Sequence, residues 1–527
     1  MNSARTARWI GGVGIVSLVA LPILGMLFAY HQPPGLIEPP PLSWDRVFPL
    51  LVRTLALALS VGAASLVLGS LLGFAQARMR YAGRRTLGVL SILPLAIPSY
   101  LIAAIVREEM APNAALGSLF GTDGVFTGFG PALLVLTVAC TPYVQVLVAS
   151  ALSRFPASEE EAARSLGATR MRRFQTILLP RLRPTFSFAL LLVTLYVISD
   201  FGAVAVLDCP VLTWELYQAR GAQDAVVLGF AIMACVIPLL ALLRLLAGAA
   251  RPQRSLGAQR PPSRERLTGG IRLAVFATHG LQIGIGVALP LASLITWVHQ
   301  GFTHDAPFAP LEGPLFNTAL YTMLGASLTL LCAFIPAWLV ARDASRRAGQ
   351  LLEGATYLTS AVPGILLAFG ILHLVLGLKR HVPLAGPGSE SLWTQLEGVG
   401  AFLILAYVMR FLGEGYAALK PAILGLDLRQ EESARSLGAS RWRTFRSVTW
   451  PALAPGAAAA FLLLFLSIAK ELPITLMLTP IGEQTLAYRV FDAQQEASLL
   501  DLGLAGLVLL CLAVAMQLLL MRWRRHA

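Results

Sequence analysis

Lysine is the scarcest charged residue of this sequence, and its scarcity bears on one class of function. Only three lysines occur among the 527 residues, at Lys379, Lys420 and Lys470, and none is followed by serine or threonine. A Gly-Lys-Ser/Thr phosphate loop requires that pair, because the lysine reaches the nucleotide phosphates and the hydroxyl binds Mg²⁺. The chain therefore lacks this ATPase motif, and we predict that it is not an enzyme and binds no cofactor of its own.

Cysteine is also sparse. Four of the five cysteines lie inside apolar runs and the fifth, Cys209, stands alone, so no Cys-x-x-Cys pair occurs. This pattern indicates neither a disulfide framework nor a zinc or iron–sulfur site. Four histidines are scattered in loops and are interpreted as ordinary surface residues: His31, His299, His304 and His381.

Charged residues of every kind are few, at 13% of the sequence, whereas 56% of the residues are hydrophobic and the mean hydropathy is +0.70. Such a composition excludes a soluble protein. Apolar runs of about 20 residues, long enough to cross a hydrocarbon core of roughly 30 Å, recur along the chain. We therefore predict an all-α polytopic membrane protein.

Twelve transmembrane helices are predicted, six in each half. The first six fall near residues 9–30, 51–77, 86–106, 131–153, 184–207 and 225–248. The second six fall near residues 273–298, 317–341, 352–378, 399–420, 455–479 and 500–521.

The basic residues predict the orientation. Most of the 41 Lys and Arg lie in the two ends of the chain and in alternate loops. The positive-inside rule places those segments, and both termini, in the cytoplasm. The net charge of +13 then reflects topology and anionic lipid headgroups, and no nucleic-acid partner is expected. Arg5 and Arg8 precede an apolar stretch as in a signal peptide, but the run is long and lacks a convincing cleavage site, so we expect a retained helix.

The two halves of the chain are related. Thr54, Ala77 and Tyr143 recur as Thr318, Ala341 and Tyr407, 264 residues later. Residues 1–250 and 273–527 thus form two six-helix halves, joined by a Pro- and Arg-rich segment, 251–272, that reads as a flexible cytoplasmic linker. Equal helix numbers make this a parallel duplication about an axis along the membrane normal. The offset later becomes 271, which predicts an insertion near residues 421–427.

A polar, Arg-rich loop occurs once in each half, at residues 156–183 and 421–454. The run Ala-Arg-Ser-Leu-Gly-Ala is identical in both copies, and Glu432 lies 271 residues after Glu161. Ser158 with Glu161 forms a capping-box pattern, Asp427 is the N-cap candidate of the second copy, and Gly167 suits a helix end. A short helix, a turn and a second helix are therefore predicted along the membrane surface.

The second limb of each loop combines arginines with apolar side chains, a composition typical of a protein-docking patch. Phe174 stands beside Met171 in the first copy, and Phe445 beside Trp442 in the second. For a single loop, the alternative of a merely solvated basic inner loop would be preferred. The gapless repetition favours docking.

These loops resemble the signature loop of the permease subunits of ATP-binding-cassette (ABC) importers, in which Glu-Ala-Ala is followed by Gly and by an apolar-x-apolar-Pro ending. The first copy matches at Glu161, Ala162, Ala163, Gly167, Ile177, Leu179 and Pro180. The second matches at Glu432, Ala434, Gly438, Val448 and Pro451. Ser433 and Trp450 depart conservatively from the pattern.

The resemblance implies a type I importer permease fold in a bacterial inner membrane. It assigns both loops, with Phe174 and Phe445, the role of coupling helices that dock on a cytoplasmic ATPase. Two copies of that ATPase, which would bind ATP and Mg²⁺, a periplasmic substrate-binding protein and the lipid bilayer are the implied partners. Because one chain carries both loops, no second permease chain is expected.

Two carboxylates, Asp200 and Glu471, occupy equivalent sites 271 residues apart inside apolar runs. Ionisable groups at membrane depth are costly and tend to face a pathway. We predict that the two approach each other across a central pathway near its outer end, as transient cation contacts or part of a gate, with Lys470 nearby. The alternative is local: Glu471 pairs with Lys470, and Asp200 caps a broken helix at Gly202.

The same stretches are similar to those of the fused, twelve-helix ferric-iron permeases. Ser199-Asp200-Phe201-Gly202 resembles the first half of that group, and Lys470-Glu471-Leu472-Pro473 with Thr485-Leu486-Ala487 the second. Ferric ion is hard and prefers oxygen ligands, which carboxylates supply. Three interpretations stay open: an iron importer, the same machine for thiamine, a phosphonate or another small anion, and a secondary transporter of two six-helix halves. The last does not explain the duplicated loops.

Overall fold

The computed structural model describes residues 20–30, 43–121, 124–153, 157–219, 222–249, 264–342, 346–381 and 392–526. In these ranges the chain is helical apart from loops and one pair of two-residue strands. Ten of the described helices are long and apolar enough to cross a membrane, or eleven if one bent pair counts as a span. Of the first predicted span, 9–30, only α1 (Ala20–Tyr30) is described. The predicted all-α polytopic fold class is confirmed.

The first half contains α1, given above, and α2 to α12. In chain order these are α2 (Trp44–Arg78), α3 (Arg84–Leu90), α4 (Ser99–Glu109), α5 (Ala115–Phe120), α6 (Phe129–Ser153), α7 (Ala157–Ser165), α8 (Arg170–Arg173), α9 (Leu179–Ser199), α10 (Gly202–Val206), α11 (Leu212–Gln218) and α12 (Ala222–Ala249).

The second half contains α13 to α25. In chain order these are α13 (Gly269–Ile283), α14 (Leu289–Thr303), α15 (Glu312–Arg342), α16 (Arg346–Ala361), α17 (Gly364–His381), α18 (Leu392–Gly398), α19 (Ala401–Leu424), α20 (Leu428–Ser436), α21 (Arg441–Thr444), α22 (Trp450–Ala469), α23 (Pro473–Leu478), α24 (Leu486–Gln495) and α25 (Leu499–His526).

Two spans predicted as continuous helices are broken. The prediction for 86–106 is wrong because α3 with a following 3₁₀ turn meets α4 at a bend of 96°. The prediction for 352–378 is wrong because α16 ends before Pro363 and α17 begins after it. Pro98 and Pro363 stand at the two breaks, where proline removes a backbone donor and disfavours helical geometry at the preceding residue.

Two further spans end earlier than predicted. The helix expected over 184–207 ends at Ser199, and the one expected over 455–479 ends at Ala469. Each is followed by a separate short helix, α10 or α23. Both begin earlier than predicted as well, because one continuous helical path runs from Met171 or Arg441 into the membrane segment.

Equivalent residues make equivalent contacts in the two halves. The hydroxyl of Thr54 accepts a hydrogen bond from the backbone N–H of Leu212 at 3.0 Å, and the hydroxyl of Thr318 accepts one from Leu486 at 2.7 Å. Each bond fixes the first residue of a short helix against a long membrane helix. The largest apolar core includes residues of both halves, such as Leu101 and Leu294, so the halves pack as one body.

Parts of the predicted linker, 251–272, and of the predicted insertion, 421–427, have regular secondary structure. Strand β2 (Glu265–Arg266) pairs in parallel with β1 (Met79–Arg80), and Leu267 is buried beside them. The predicted flexible linker 251–272 is therefore structured from residue 264 onward, while 251–263 lies outside the described residues. The predicted insertion begins inside α19, which includes Pro421 and ends at Leu424, so it lengthens a helix before it forms a turn.

Candidate functional site

The two repeated loops have the predicted helix–turn–helix geometry. In the first, α7 is followed by Gly167 with φ +79°, and in the second, α20 is followed by Gly438 with φ +85°. This left-handed conformation ends a helix and strains any residue with a Cβ atom. Asp427 is the N-cap of α20, because its carboxylate accepts a hydrogen bond from the N–H of Arg429 at 3.0 Å. The side chain of Ser158 lies outside the described part.

The proline at the end of each loop has a structural explanation. A five-residue π segment precedes it: Phe174–Leu178 before Pro180, and Phe445–Thr449 before Pro451. Here the N–H of the residue before the proline bonds five residues back, from Leu179 to Phe174 and from Trp450 to Phe445. The wider turn accommodates the donor that proline lacks. Pro290 follows a π segment in the same way, so this role does not depend on docking.

Large apolar side chains are exposed at equivalent positions of the two loops. Leu166 and Leu437 are 85% and 88% exposed, and Met171 and Trp442 are 64% and 69% exposed. Each pair is separated by 271 residues. The carboxylate residues of the motif, Glu161 and Glu432, are exposed too, as is Ala162, whereas Ala163 and Ala434 are half-buried. The loops thus present a repeated apolar surface bordered by charge.

The phenylalanines of the motif face inward. Phe174 is half-buried, with its ring edge-on to Phe74 of α2 at 6.2 Å. Phe445 is half-buried against Trp338 of α15 at 6.2 Å and Trp442 at 5.8 Å. They join the loops to the membrane helices. The leucines, which sequence reasoning missed, are the more exposed apolar side chains of the loops. The sequence Ser-Leu-Gly, which is identical in the two loops, could have pointed to these leucines.

A second feature missed in the sequence is an ion pair under the second loop. The two terminal nitrogens of Arg342, Nη1 and Nη2, donate to Glu431 at 2.8 and 2.7 Å. The hydroxyl of Thr449 donates to the same carboxylate at 2.9 Å. These hydrogen bonds hold the pKa of Glu431 below its ordinary value. The pair is largely buried and connects α20, α15 and the π segment. The internal repeat pairs Arg78 with Arg342 and so draws attention to Arg342, but it does not indicate that Glu431 is the partner of Arg342.

The predicted intramembrane carboxylates line one cavity. Asp200 and Glu471 both contribute to a cavity of about 130 Å³ at the junction of the halves. Each also caps the short helix that follows it: Asp200 accepts from the N–H of Ala203 at 3.0 Å, and Glu471 from the N–H of Ile474 at 3.0 Å. The predicted cap at Asp200 is confirmed, and Glu471 has the same role.

The carboxylates differ in length, and their neighbours compensate. The hydroxyl of Ser99 donates to Asp200 at 2.6 Å. Ser99 follows Pro98 and begins α4, and in the second half Gly364 follows Pro363 and begins α17. A Cβ atom on Gly364 would lie 2.7 Å from the carboxylate of Glu471. A residue larger than glycine at this position would therefore have to displace the carboxylate of Glu471.

Lys470 does not pair with the adjacent Glu471, as the local alternative proposed. Its ammonium group donates to the backbone carbonyl of Leu95, in the bent segment of the first half, at 2.8 Å. That interpretation of Glu471 is wrong because the two side chains turn to different partners.

Two further charges of the cavity region were missed, although they lie in the predicted span 399–420. Arg410 lines the cavity and donates to the carbonyl of Ser360, and Glu414 accepts from Ser467 at 2.6 Å. The rule that singled out Asp200 applies equally to them. Three charged residues of this region therefore have been described besides Asp200 and Glu471, and all three belong to the second half: Arg410, Glu414 and Lys470.

The carboxylates do not form a multidentate metal site. Among the described residues, no group of three or more His, Cys, Asp or Glu is arranged to hold a metal ion. Asp200 and Glu471 already accept helix N–H groups. The cavity wall thus combines the oxygen atoms of these two carboxylates with the cationic side chains of Arg410 and Lys470.

Known proteins of similar sequence include permease proteins of ferric and sulfate transport systems. A Fe(3+)-transport system permease protein of Haemophilus influenzae is 26% identical over 464 residues, which cover 86% of this chain and 85% of the relative. A putative ferric transport system permease protein of the same species is 23% identical, covering 85% and 73%. A sulfate transport system permease protein of Escherichia coli is 28% identical but covers only 39% of this chain and 74% of its own length.

The family model for the binding-protein-dependent transport system inner membrane component matches twice, at residues 65–255 and 314–526. The two matches contain the two loops and the two capping carboxylates, one of each per match. Together they cover most of a chain whose helices cross the membrane many times. The chain belongs to the family of binding-protein-dependent transport system inner membrane components, as a multi-pass permease that carries the domain in duplicate.

Proposed function

We propose that this permease is the membrane subunit of an ATP-driven importer, and that two copies of a separate cytoplasmic ATPase dock on its two loops. The exposure of Leu166 and Leu437 at equivalent positions carries the proposal. Exposed apolar side chains in a charged loop are typical of a surface that a partner covers. In this arrangement both termini and both loops lie in the cytoplasm.

Substrate would reach the opposite side from a periplasmic binding protein and pass the cavity between the halves. The cavity wall brings together Asp200 and Glu471, one from each half, with Lys470 bonded across the junction to Leu95. A contact between the halves must change when the pathway opens. We therefore assign the Lys470 side chain to the gate.

Ferric iron is the proposed substrate. The support comes from the two ferric-transport relatives, which match along more than four-fifths of this chain. The oxygen atoms of Asp200 and Glu471 suit a hard cation. Because these atoms are shared with helix caps, the permease would pass the ion on without retaining it.

A small oxyanion is the second candidate. Arg410 and Lys470 border the same cavity, and cationic side chains are the usual partners of oxyanions. The sulfate-transport relative matches a smaller part of the chain. Thiamine, named with the anions as an alternative cargo, gains no support from these cations.

Reconstitution distinguishes the candidates. The full chain would be placed in proteoliposomes with its ATPase and binding protein, and uptake of ⁵⁵Fe(III) and ³⁵S-sulfate would be measured with and without ATP. We expect ATP-dependent iron uptake and no sulfate uptake. Sulfate uptake alone would establish the second candidate, and uptake driven by an ion gradient without ATP would refute the importer.

The stoichiometry is tested on the same complex by native mass spectrometry. One permease chain with two ATPase subunits is expected. A complex with two permease chains would contradict the proposal.

A further inference from the structure

A large apolar cavity lies beside the first loop, away from the substrate pathway. Its volume is about 550 Å³, within the range of about 300–1,000 Å³ that ligand sites occupy. Its walls come from α2, α6, the π segment and α9, with a contribution from the start of α13. The apolar lining includes Leu71, Phe74, Phe174, Leu182 and Phe186.

The charged residues that line the cavity lie at one end. Among the described residues, Arg78, Arg173 and Glu265 line this end. Arg173 approaches Glu265 at 3.5 Å, a long contact, and its buried Nε has no hydrogen-bond partner among the described residues. This end has room for an additional acceptor with negative charge.

The dimensions and depth of the cavity match a lipid. From Arg78, the last residue of α2, the lining continues to Ser70, eight residues or about 12 Å into the membrane helix. Met171 and Ile271, which also line it, are 64% and 56% exposed, so the cavity is open at this end. An acyl chain would lie along the apolar wall with its headgroup at the arginines.

The second half does not repeat the arrangement. Ser70 and Phe74 correspond to Phe334 and Trp338, whose rings stack at 5.4 Å. Arg342, the counterpart of Arg78, lies over Trp338 at 4.6 Å and pairs with Glu431. At three other positions the second half has the smaller residue: Thr444 for Arg173, Thr449 for Leu178 and Ala457 for Phe186. The halves thus differ in shape, because two large rings replace Ser70 and Phe74, and in charge, because Thr444 replaces the cation of Arg173.

We propose that the cavity binds one anionic phospholipid of the cytoplasmic leaflet, with the phosphate at Arg173 and Arg78 and an acyl chain between α2 and α9. Basic pockets between membrane helices on the cytoplasmic side favour anionic headgroups. A bound lipid would support the wall from which the first loop projects. The inference rests on the orientation in the proposed function.

Lipid retention by the purified full-length chain tests the site. Delipidated protein would be mixed with phosphatidylglycerol or with phosphatidylcholine and analysed by native mass spectrometry. We expect one retained phosphatidylglycerol per chain, at least about tenfold preferred over phosphatidylcholine, a ratio equivalent to roughly 1.4 kcal/mol. Retention of neither lipid, or of both equally, would overturn the proposal.

Two kinds of variant locate the lipid. Arg173→Gln leaves the apolar wall intact and should abolish the preference for phosphatidylglycerol. The double change Ser70→Phe with Phe74→Trp copies the second half and should prevent retention. The matched control is Val67→Phe, which adds the same ring to α2 at a position that is 68% exposed, and it should retain lipid. Unchanged selectivity in Arg173→Gln would overturn the headgroup assignment.

Co-purification of the ATPase with the same samples separates this proposal from the function. Loss of lipid selectivity with the ATPase still bound is the expected result for Arg173→Gln. A wild-type chain that binds the ATPase but no lipid refutes the lipid site alone. A chain that binds lipid but no ATPase refutes only the proposed function.

Discussion

Gly364 and Glu471 are in close contact, since a Cβ atom on Gly364 would lie 2.7 Å from Oε1 of Glu471 and the carboxylate would have to move. In the first half the matching pair is Ser99 and Asp200, joined by a hydrogen bond of 2.6 Å. Glycine with glutamate and serine with aspartate are alternative ways to fill one space. In each half, the size of the neighbouring residue complements the length of the acidic side chain.

Gly364→Ser should therefore destabilise the protein, by about 1–3 kcal/mol as for other overpacked cores. Adding Glu471→Asp should restore stability, because the pair then has the chemistry of Ser99 and Asp200. The melting temperature of the purified protein measures both effects. Gly313→Ser, at a glycine with open space around it, is the matched control. A double variant less stable than Gly364→Ser would contradict the complementarity.

The internal repeat explains why much of the arrangement was predictable. Thr54 and Thr318, paired by the offset alone, make the same hydrogen bond. Gly167, predicted as a helix end, and Gly438, its counterpart in the second copy of the motif, have the left-handed conformation that glycine allows. Such features depend on local backbone requirements, which a repeated motif expresses twice.

Contacts between distant segments were not predictable. Periodicity cannot distinguish a straight apolar helix from one that bends. The span 86–106 was therefore predicted as one helix, although the chain bends at Pro98. The bond from Lys470 to Leu95 spans 375 residues, and nothing local marks it. The adjacent Lys470 and Glu471 suggested a pair, but the end of α22 turns them apart.

The exposed leucines of the loops should be essential for docking. Leu166→Asp with Leu437→Asp places charge on the apolar surface, and truncating central interface residues typically costs about 2 kcal/mol or more. Co-purification of the ATPase should fall by about tenfold or more per site, since each 1.4 kcal/mol is tenfold. Leu119→Asp, at a leucine that is 74% exposed in α5 outside both loops, is the control. Normal ATPase recovery with the double variant would refute docking at these residues.

The turn glycines should be needed for coupling through their backbone conformation. Gly167→Val or Gly438→Val forces a β-branched residue into a left-handed turn, at a cost of roughly 1–2 kcal/mol. No atom lies within 4 Å of a Cβ at either position, so a steric clash is not the cause. ATP-driven uptake should decrease while the amount of protein in the membrane is unchanged.

Asparagine is the control for that experiment, because it tolerates the left-handed conformation better than valine does. Gly167→Asn and Gly438→Asn should retain most of the uptake. Equal loss in the asparagine and valine variants would show that the backbone argument is wrong.

The Arg342–Glu431 pair should make the second loop sensitive to acid. Because the folded pKa of Glu431 is below its unfolded value of about 4.3, the pair's contribution is present above that unfolded value and is lost as the pH falls through the folded pKa. Hydrogen exchange of residues 428–449, corrected for the intrinsic rate at each pH, should show constant protection from neutral pH to about 5 and a loss at lower pH. Glu431→Gln should remove this acid-induced loss, and an unchanged profile in that variant would assign it to another group.

Asp200 and Glu471 cap helices and line the cavity that is the proposed pathway, and substitutions can separate these two roles. Asn is as good an N-cap as Asp, so Asp200→Asn keeps the cap at Ala203 and removes only the charge. Asp200→Ala removes both and should lower the stability by about 0.5–2 kcal/mol. If the charge acts on the substrate, Asp200→Asn will impair ATP-driven uptake with an unchanged melting temperature.

Glu471→Gln extends the test to the second half, where the side-chain oxygen can still accept from Ile474. We expect uptake to fall in each single variant and further in the double variant Asp200→Asn with Glu471→Gln, while the ATPase remains bound. The melting temperature and ATPase co-purification exclude unfolding and lost docking as causes. Normal uptake by the double variant, combined with the loss of stability in Asp200→Ala, would show that these carboxylates serve the short helices and not the passing ion.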